Sequence, residues 1–308
     1  MIVIIIIIMK SGFLIEKKNI LDVENSTYEL SPLTIQVILI LILIPIPIPI
    51  PIQYLGEKDG EDYFIRDLIL FTRDCSELPW PLTRTIQGKD LPPMPVWPPK
   101  TKEDCRHLEK WMTSTIEGPI GTILDSNAFE SVSSFFDCGC GDGSFGIALC
   151  NEFDQMTGTL YNLPVSIEIA KENIRRESGS IQSRLNVVAG NFLLEDFPQN
   201  NTGYDVVLFS RLLTDWSPDV CLSLFEKAKK ILKKSGKIVI NEALYDGNED
   251  MCIAWEYRYI FYDSFGKHTY KALKDYEALL REAGFTIRKV TPMTDYAFYS
   301  VIEAYRND

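Results

Sequence analysis

The chain has 308 residues, of which 46% are hydrophobic and 24% charged, the composition of a globular protein long enough to bury a core. Its 31 basic and 43 acidic residues leave a net charge of -12. No Lys/Arg-rich stripe offsets that total, so repulsion from phosphates disfavours a nucleic-acid partner. The seven cysteines, at 75, 105, 138, 140, 150, 221 and 252, form no CxxC pair and have no histidine cluster beside them. That speaks against a metal site or a disulfide framework, and for small buried thiols in a reducing, cytoplasmic setting.

The N-terminal third is irregular. Met1 to Met9 is almost pure isoleucine, and Val37 to Ile52 reads VILILILIPIPIPIPI. Pro45, Pro47, Pro49 and Pro51 each lack an N–H and clash with the preceding turn, so no helix continues past Leu43 and an extended segment is expected. A membrane span is therefore disfavoured, and the opening run lacks the positive flank of a signal peptide. Between the two runs, Gly12-Phe13-Leu14-Ile15 and Tyr28 to Thr34 read as strands of a hairpin around Glu24-Asn25-Ser26. A Pro/Trp-rich link (91–99) then leads to a helix expected over Lys102–Thr115. Its stripe of Leu108, Trp111, Met112 and Thr115 is expected to pack against core or partner. The domain reading is an irregular region over 1–100 and one domain over 101–308.

From Ser133 the pattern becomes strand, helix, strand, helix with short links, as in a parallel sheet covered on both faces. Strands are expected at 135–138, 159–161, 185–189, 206–209 and 238–240, with two later ones near 286–290 and 299–304. Helices are expected at 144–153, 164–176, 218–232 and 274–283, the last ended by Gly284.

The chemistry concentrates at strand ends. Asp137-x-Gly139-x-Gly141-x-Gly143 follows the first strand of this half, where glycines let the backbone turn sharply and approach a ligand beneath a helix N-terminus. Its spacing is not the G-x-G-x-x-G that cradles a pyrophosphate. Asn162 ends the next strand, at the distance expected of a ribose-binding side chain, and Asn191 follows the third. The stretch Trp255 to Tyr262 is strongly aromatic. On a helix it sets Trp255, Tyr259 and Tyr262 on one face, either core or the wall of an aromatic-substrate pocket.

FFDCGCGDGSFGIAL, LYNLP, GNFLLEDFP, YDVVLFSRLLTDW and SGKIVINEAL occur in this order. Together they resemble the small-molecule O-methyltransferases of the caffeate and acetylserotonin type over roughly residues 100 to 308. The resemblance implies a Rossmann-like, seven-stranded methyltransferase domain with S-adenosylmethionine as donor and a small, aromatic acceptor. The GFLIEKK…YELSPLT piece is similar to the wing of that family's N-terminal winged-helix dimerisation domain. Here that domain looks truncated or rebuilt, and a homodimer through the N-terminal region is the corresponding expectation. Carried over residue by residue, the resemblance assigns cofactor contact to Asp137, Gly139 and Gly141, and Gly143 of the same loop is a further cofactor-binding candidate. The ribose falls to Asn162, the adenine edge to Asn191 and Phe192, and the methionine side to Ser210 and Arg211; Met112, from the helix stripe, is a candidate for the substrate pocket.

Three positions depart from the family. Asn162 and Asn191 stand where aspartates are usual, which removes the charge-assisted part of a hydrogen bond. Thr214, in Leu213-Thr214-Asp215-Trp216, stands where the family has its catalytic histidine. Deprotonating a phenol of pKa about 10 needs a base that threonine cannot provide. Asp215, Glu242 and His268 are the candidates. An oxygen acceptor is the first expectation and an activated ring carbon the variant, since a carbon nucleophile relaxes the need for the histidine. From another class, the alternative is a catalytically silent cofactor-binding scaffold.

Overall fold

The computed structural model describes residues 14–16, 28–30, 99–249, 252, 270–293 and 298–307, with the backbone alone at 14–16, 28–30, 107, 110, 111 and 114. The isoleucine-rich runs, most of the Pro/Trp link, the aromatic stretch and His268 lie outside the described residues. The chain divides into two compact units, Met1–Pro95 with Asn248–Gly266, and Val96–Gly247 with Lys267–Asp308. In the first, β1 (Leu14–Glu16) pairs antiparallel with β2 (Tyr28–Leu30), Ile15 opposite Glu29. No helix among the described residues is long and apolar enough to cross a membrane.

The second unit opens with α1 (Lys102–Ser114) and α2 (Glu117–Asp125). Thr101 and Asp104 start α1 with a reciprocal capping box, the Thr101 hydroxyl accepting from the Asp104 N–H and the Asp104 carboxylate from the Thr101 N–H. Among its described side chains, Cys105 and Glu109 are buried and Leu108, Met112 and Thr115 half-buried. In α2, Pro119 falls in the first turn, where its missing N–H leaves no intrahelical bond unmade.

There follow β3 (Ser134–Cys138), α3 (Ser144–Glu152), β4 (Thr157–Asn162), α4 (Pro164–Ile174), α5 (Gly179–Arg184), β5 (Leu185–Ala189), β6 (Tyr204–Ser210), α6 (Pro218–Ile231), β7 (Leu232–Glu242), α7 (Leu273–Glu282), β8 (Phe285–Thr291) and β9 (Ser300–Arg306). The seven strands β3–β9 form one sheet in the order β5-β4-β3-β6-β7-β9-β8. β3 to β7 run parallel, and β9 lies antiparallel between β7 and β8. This is the Rossmann-like architecture that the motif order implied. The strand order reverses at β3, between β4 and β6, which is where open α/β sheets bind ligands.

Alternation along β3 divides the core. Phe135 joins Ile123, Phe145, Leu149, Leu160 and Ile167 on the face covered by α2, α3 and α4. Phe136 turns to the other face, where Tyr161, Phe209 and Phe225 pack with α6 and α7. Each such side chain contributes about 1.5–3 kcal/mol by leaving water. Asp137, two residues beyond Phe135, points to the α1–α4 side of the sheet.

Candidate active site

One rim of the sheet collects the strand ends. Cys138 pairs with Tyr161 on one side and with Phe209 on the other, so one step further Gly139 lies between Asn162 and Ser210. Asn162 in turn pairs with Ala189, which brings Gly190 and Asn191 to the same rim. Gly139, Gly141 and Gly143 all have positive φ, at 76°, 54° and 86°, a region that side chains with a Cβ rarely adopt. The loop is pinned from β4, whose Tyr161 carbonyl accepts from the N–H groups of Gly139 (2.8 Å) and Cys140 (3.2 Å). Gly143 then caps α3, with the N-terminus of that helix turned toward the rim.

Two side chains close against this loop. A Cβ at residue 139 would meet Leu212 Cδ1 at 2.9 Å, and one at 141 would meet Glu109 Oε2 at 3.0 Å. Asp142 is fully used. Its Oδ1 accepts from the Ser144 N–H (3.0 Å) and its Oδ2 from the Thr113 hydroxyl (2.6 Å), which ties the loop to α1. Asp137 is only 2% exposed, and its Oδ2 has no hydrogen-bond partner among the described residues. Burial, then repulsion from Asp142, pushes the Asp137 carboxyl up to about 7. Burial, then Asp142, likewise pushes Glu109 up to about 8 against the opposing pull of Arg211. A rim lined by carboxyls, one oxygen of which is unsatisfied, suits a ligand that brings positive charge and N–H donors.

The asparagines at the rim make local turns. Asn162 Oδ1 accepts from the Leu163 N–H at 2.8 Å, and Asn191 Oδ1 from the Leu193 N–H at 2.9 Å. Phe192 is buried edge-on to Trp216, with ring centroids 5.4 Å apart. Ser210 is buried and lies 3.3 Å from Asn241 Nδ2. Arg211, with a left-handed φ of 53°, sends its guanidinium to the C-terminal end of α1. There Nη1 donates to the Met112 carbonyl (2.9 Å) and Nη2 to the Thr115 hydroxyl (3.0 Å), while Nη2 lies 3.0 Å from Met112 Sδ.

The turn after β6 is held from both ends. Leu213–Asp215 is a single 3-10 turn. Glu242, 2% exposed at the end of β7, accepts from the Leu212 N–H (2.6 Å), the Leu213 N–H (2.7 Å) and the Thr214 hydroxyl (2.9 Å). Lys271 donates to the carbonyls of Leu213 and Trp216, both at 2.8 Å. A carboxylate at the donor end and an ammonium at the acceptor end both complement the turn's dipole. Burial raises Glu242 to about 7 even though its three donors, the Thr214 hydroxyl first, favour the charged form. Asp215 stands nearby and half-buried.

The rim thus gathers Asp137, the three glycines, Asn162, Asn191, Ser210 and Arg211, with Thr214 and Asp215 in the adjoining turn and Glu242, at the end of β7, bonded to that turn. Of the remaining candidates, Met112 reaches the rim through Arg211, whereas Trp255, Tyr259, Tyr262 and His268 lie outside the described residues. Glu109 was not among the sequence candidates. Its only signal is a carboxylate four residues after Cys105 and three before Met112, on the inward edge of an amphipathic helix.

Residues 100–286 match the family described as the O-methyltransferase domain. Among curated relatives, the chain is 25% identical over 170 residues to the bacteriochlorophyllide d C-20 methyltransferase of Chlorobaculum tepidum, which covers 55% of this chain and 48% of that protein. It is 30% identical over 185 residues to flavonoid 4'-O-methyltransferase 4 of Mentha piperita, covering 58% of this chain and 48% of that one. The chain spans about half the length of these relatives. Among solved structures, it superposes on an O-methyltransferase from neocarzinostatin biosynthesis, in complex with S-adenosylmethionine and 2-hydroxy-5-methyl naphthoic acid. The TM-score is 0.63 with 16% identity, over 97% of this chain and 82% of that one, a likeness of fold. With the family match covering more than half of its length, the chain belongs to the O-methyltransferase domain family.

Proposed function

We propose that this protein transfers a methyl group from S-adenosylmethionine to a small aromatic acceptor, on oxygen first and on a ring carbon as the variant. The observation that carries the reading is the Gly139–Gly143 loop with its positive φ values, set at the strand-order switch beside the unsatisfied carboxyl oxygen of Asp137. When bound, the cofactor supplies an electrophilic sulfonium methyl. Asp137, Gly139, Gly141 and Gly143 would hold its backbone-facing side, Asn162 the ribose, Asn191 and Phe192 the adenine, and Ser210 with Arg211 the methionine side. The relatives carry both oxygen and carbon methyltransferase names, which supports an enzyme over a silent scaffold.

An oxygen acceptor needs its proton removed. The three hydrogen bonds that fill Glu242 favour a role in positioning the turn. Asp215 and His268 are then the groups we propose for the proton. Met112, Trp255, Tyr259 and Tyr262 would form the acceptor's apolar wall. The reading extends to a homodimer formed through residues 1–100, a catalytic domain over 101–308 and a cytoplasmic setting.

Titration calorimetry with S-adenosylhomocysteine tests the cofactor site. Gly141→Val forces a Cβ into contact with Glu109 at a φ that valine does not tolerate, and should weaken binding by at least ~100-fold. Unchanged affinity in a folded variant would remove the basis of the reading.

A further inference from the structure

We propose that Glu109, carried on α1, receives the α-ammonium of the cofactor's methionine half. The proposal rests on the cofactor reading above and adds a ligand that the family motifs do not assign. Several tertiary contacts bring α1 to the site. Its Lys102 and Arg106 pair with Glu172 of α4, Cys105 Sγ lies 3.4 Å from Ser166 Oγ, and Thr113 holds Asp142. Glu109 is thereby carried against Gly141 and left 8% exposed.

Among the described residues, the groups facing Glu109 are Asp142, whose N–H donates to it, and Cys140 from the loop, Cys105 from its own helix and, as a single cation, Arg211 from the end of β6. Arg211 has already committed its guanidinium to Met112 and Thr115. Asp142 has committed both oxygens. Asp137, pointing to the same side of the sheet, adds a buried carboxyl oxygen without a partner. Residue 140 feels all three carboxyls at once. A buried carboxyl in such company either keeps a proton or meets a cation.

The orientation follows from the rim. Were the nucleoside held on the β4–β5 side at Asn162 and Asn191, the amino-acid half would be directed toward β6 and α1. An ammonium there would offer three N–H donors, one of them for Glu109. Its charge would ionise Glu109, so binding near neutral pH would release a proton.

Glu109→Gln keeps the shape of the protonated acid and should leave the thermal midpoint of the apoprotein near that of the wild type. Calorimetry should show S-adenosylhomocysteine binding this variant ~30-fold more weakly. Binding of 5'-methylthioadenosine, which lacks the amino-acid half, should stay unchanged. In buffers of different ionisation enthalpy, the wild type should release more protons on binding S-adenosylhomocysteine than the variant does. Equal S-adenosylhomocysteine affinity, or an equal loss for both ligands, would overturn the assignment and leave the cofactor reading standing. Failure of the wild type to bind either ligand would overturn both.

Discussion

Thr214 donates its hydroxyl to Glu242 inside a pocket that leaves it 5% exposed, with the buried Tyr276 beside it. Its work here is to complete the shell of donors around Glu242. That shell makes its contribution depend on charge. A bond to an ionised carboxylate is worth about 1.5–3 kcal/mol, and one to a neutral acid about 1. Burial pushes Glu242 up to about 7, so the value of the Thr214 hydroxyl should change across neutral pH. Thr214→Val, which keeps the shape, should cost about 1.5–3 kcal/mol in urea unfolding at about pH 8.5 and about 1 at about pH 6. An equal cost at both would mean that Glu242 keeps one charge state throughout.

At the scale of elements, both ends of α1 are tied down. The capping box closes the first, and Arg211 satisfies the carbonyl end that the sequence leaves without a basic residue in the last turn. Arg211→Met should therefore accelerate amide exchange in α1 while protection in β3 and β6 holds, with about 1–3 kcal/mol lost locally. Uniform loss of protection would show that the contact supports the whole unit instead. The same elements show how far the sequence could be read. Strands β3 to β6 are short apolar runs between breakers, and the glycine loop declares itself because a positive φ is written into residue type. α2 is hidden because Gly118, Pro119 and Gly121 look like breakers, although the proline occupies a first turn that has no use for its N–H. α5 is six mostly polar residues held by the Ser178 cap and by Arg184, which reaches the carbonyls of Cys150 and Phe153. The grouping of Glu109 with Gly141, and of Thr214 with Glu242, is set by packing between distant segments, and no local pattern announces it.

At the scale of the whole molecule, three buried carboxyls among the described residues shape the response to pH. Glu109 is raised to about 8, and Asp137 and Glu242 to about 7, each mainly by burial. Through the window between ordinary carboxyl values and these, the native protein binds more protons than the unfolded chain. Its stability therefore falls as pH rises, and the loss is complete once pH passes the raised values. Asp205 acts in the opposite sense. It accepts from Ser133, Ser134 and Lys233, joining the starts of β3, β6 and β7, and its carboxyl is lowered by those bonds despite burial. Its contribution is present above the ordinary aspartate value and is lost as pH falls through the lowered one. The two trends place maximum stability of the ligand-free protein on the acid side of neutrality, and the net charge of -12 steepens the decline above it. The thermal midpoint should thus drop between about pH 6 and about pH 8.5. A ligand carrying positive charge into the carboxyl-lined rim should raise the midpoint more at the higher pH, because there it relieves carboxylates that are already ionised. A midpoint that rises across this range, or a ligand effect larger at the lower pH, would show that these carboxyls are ionised and paired before the ligand arrives.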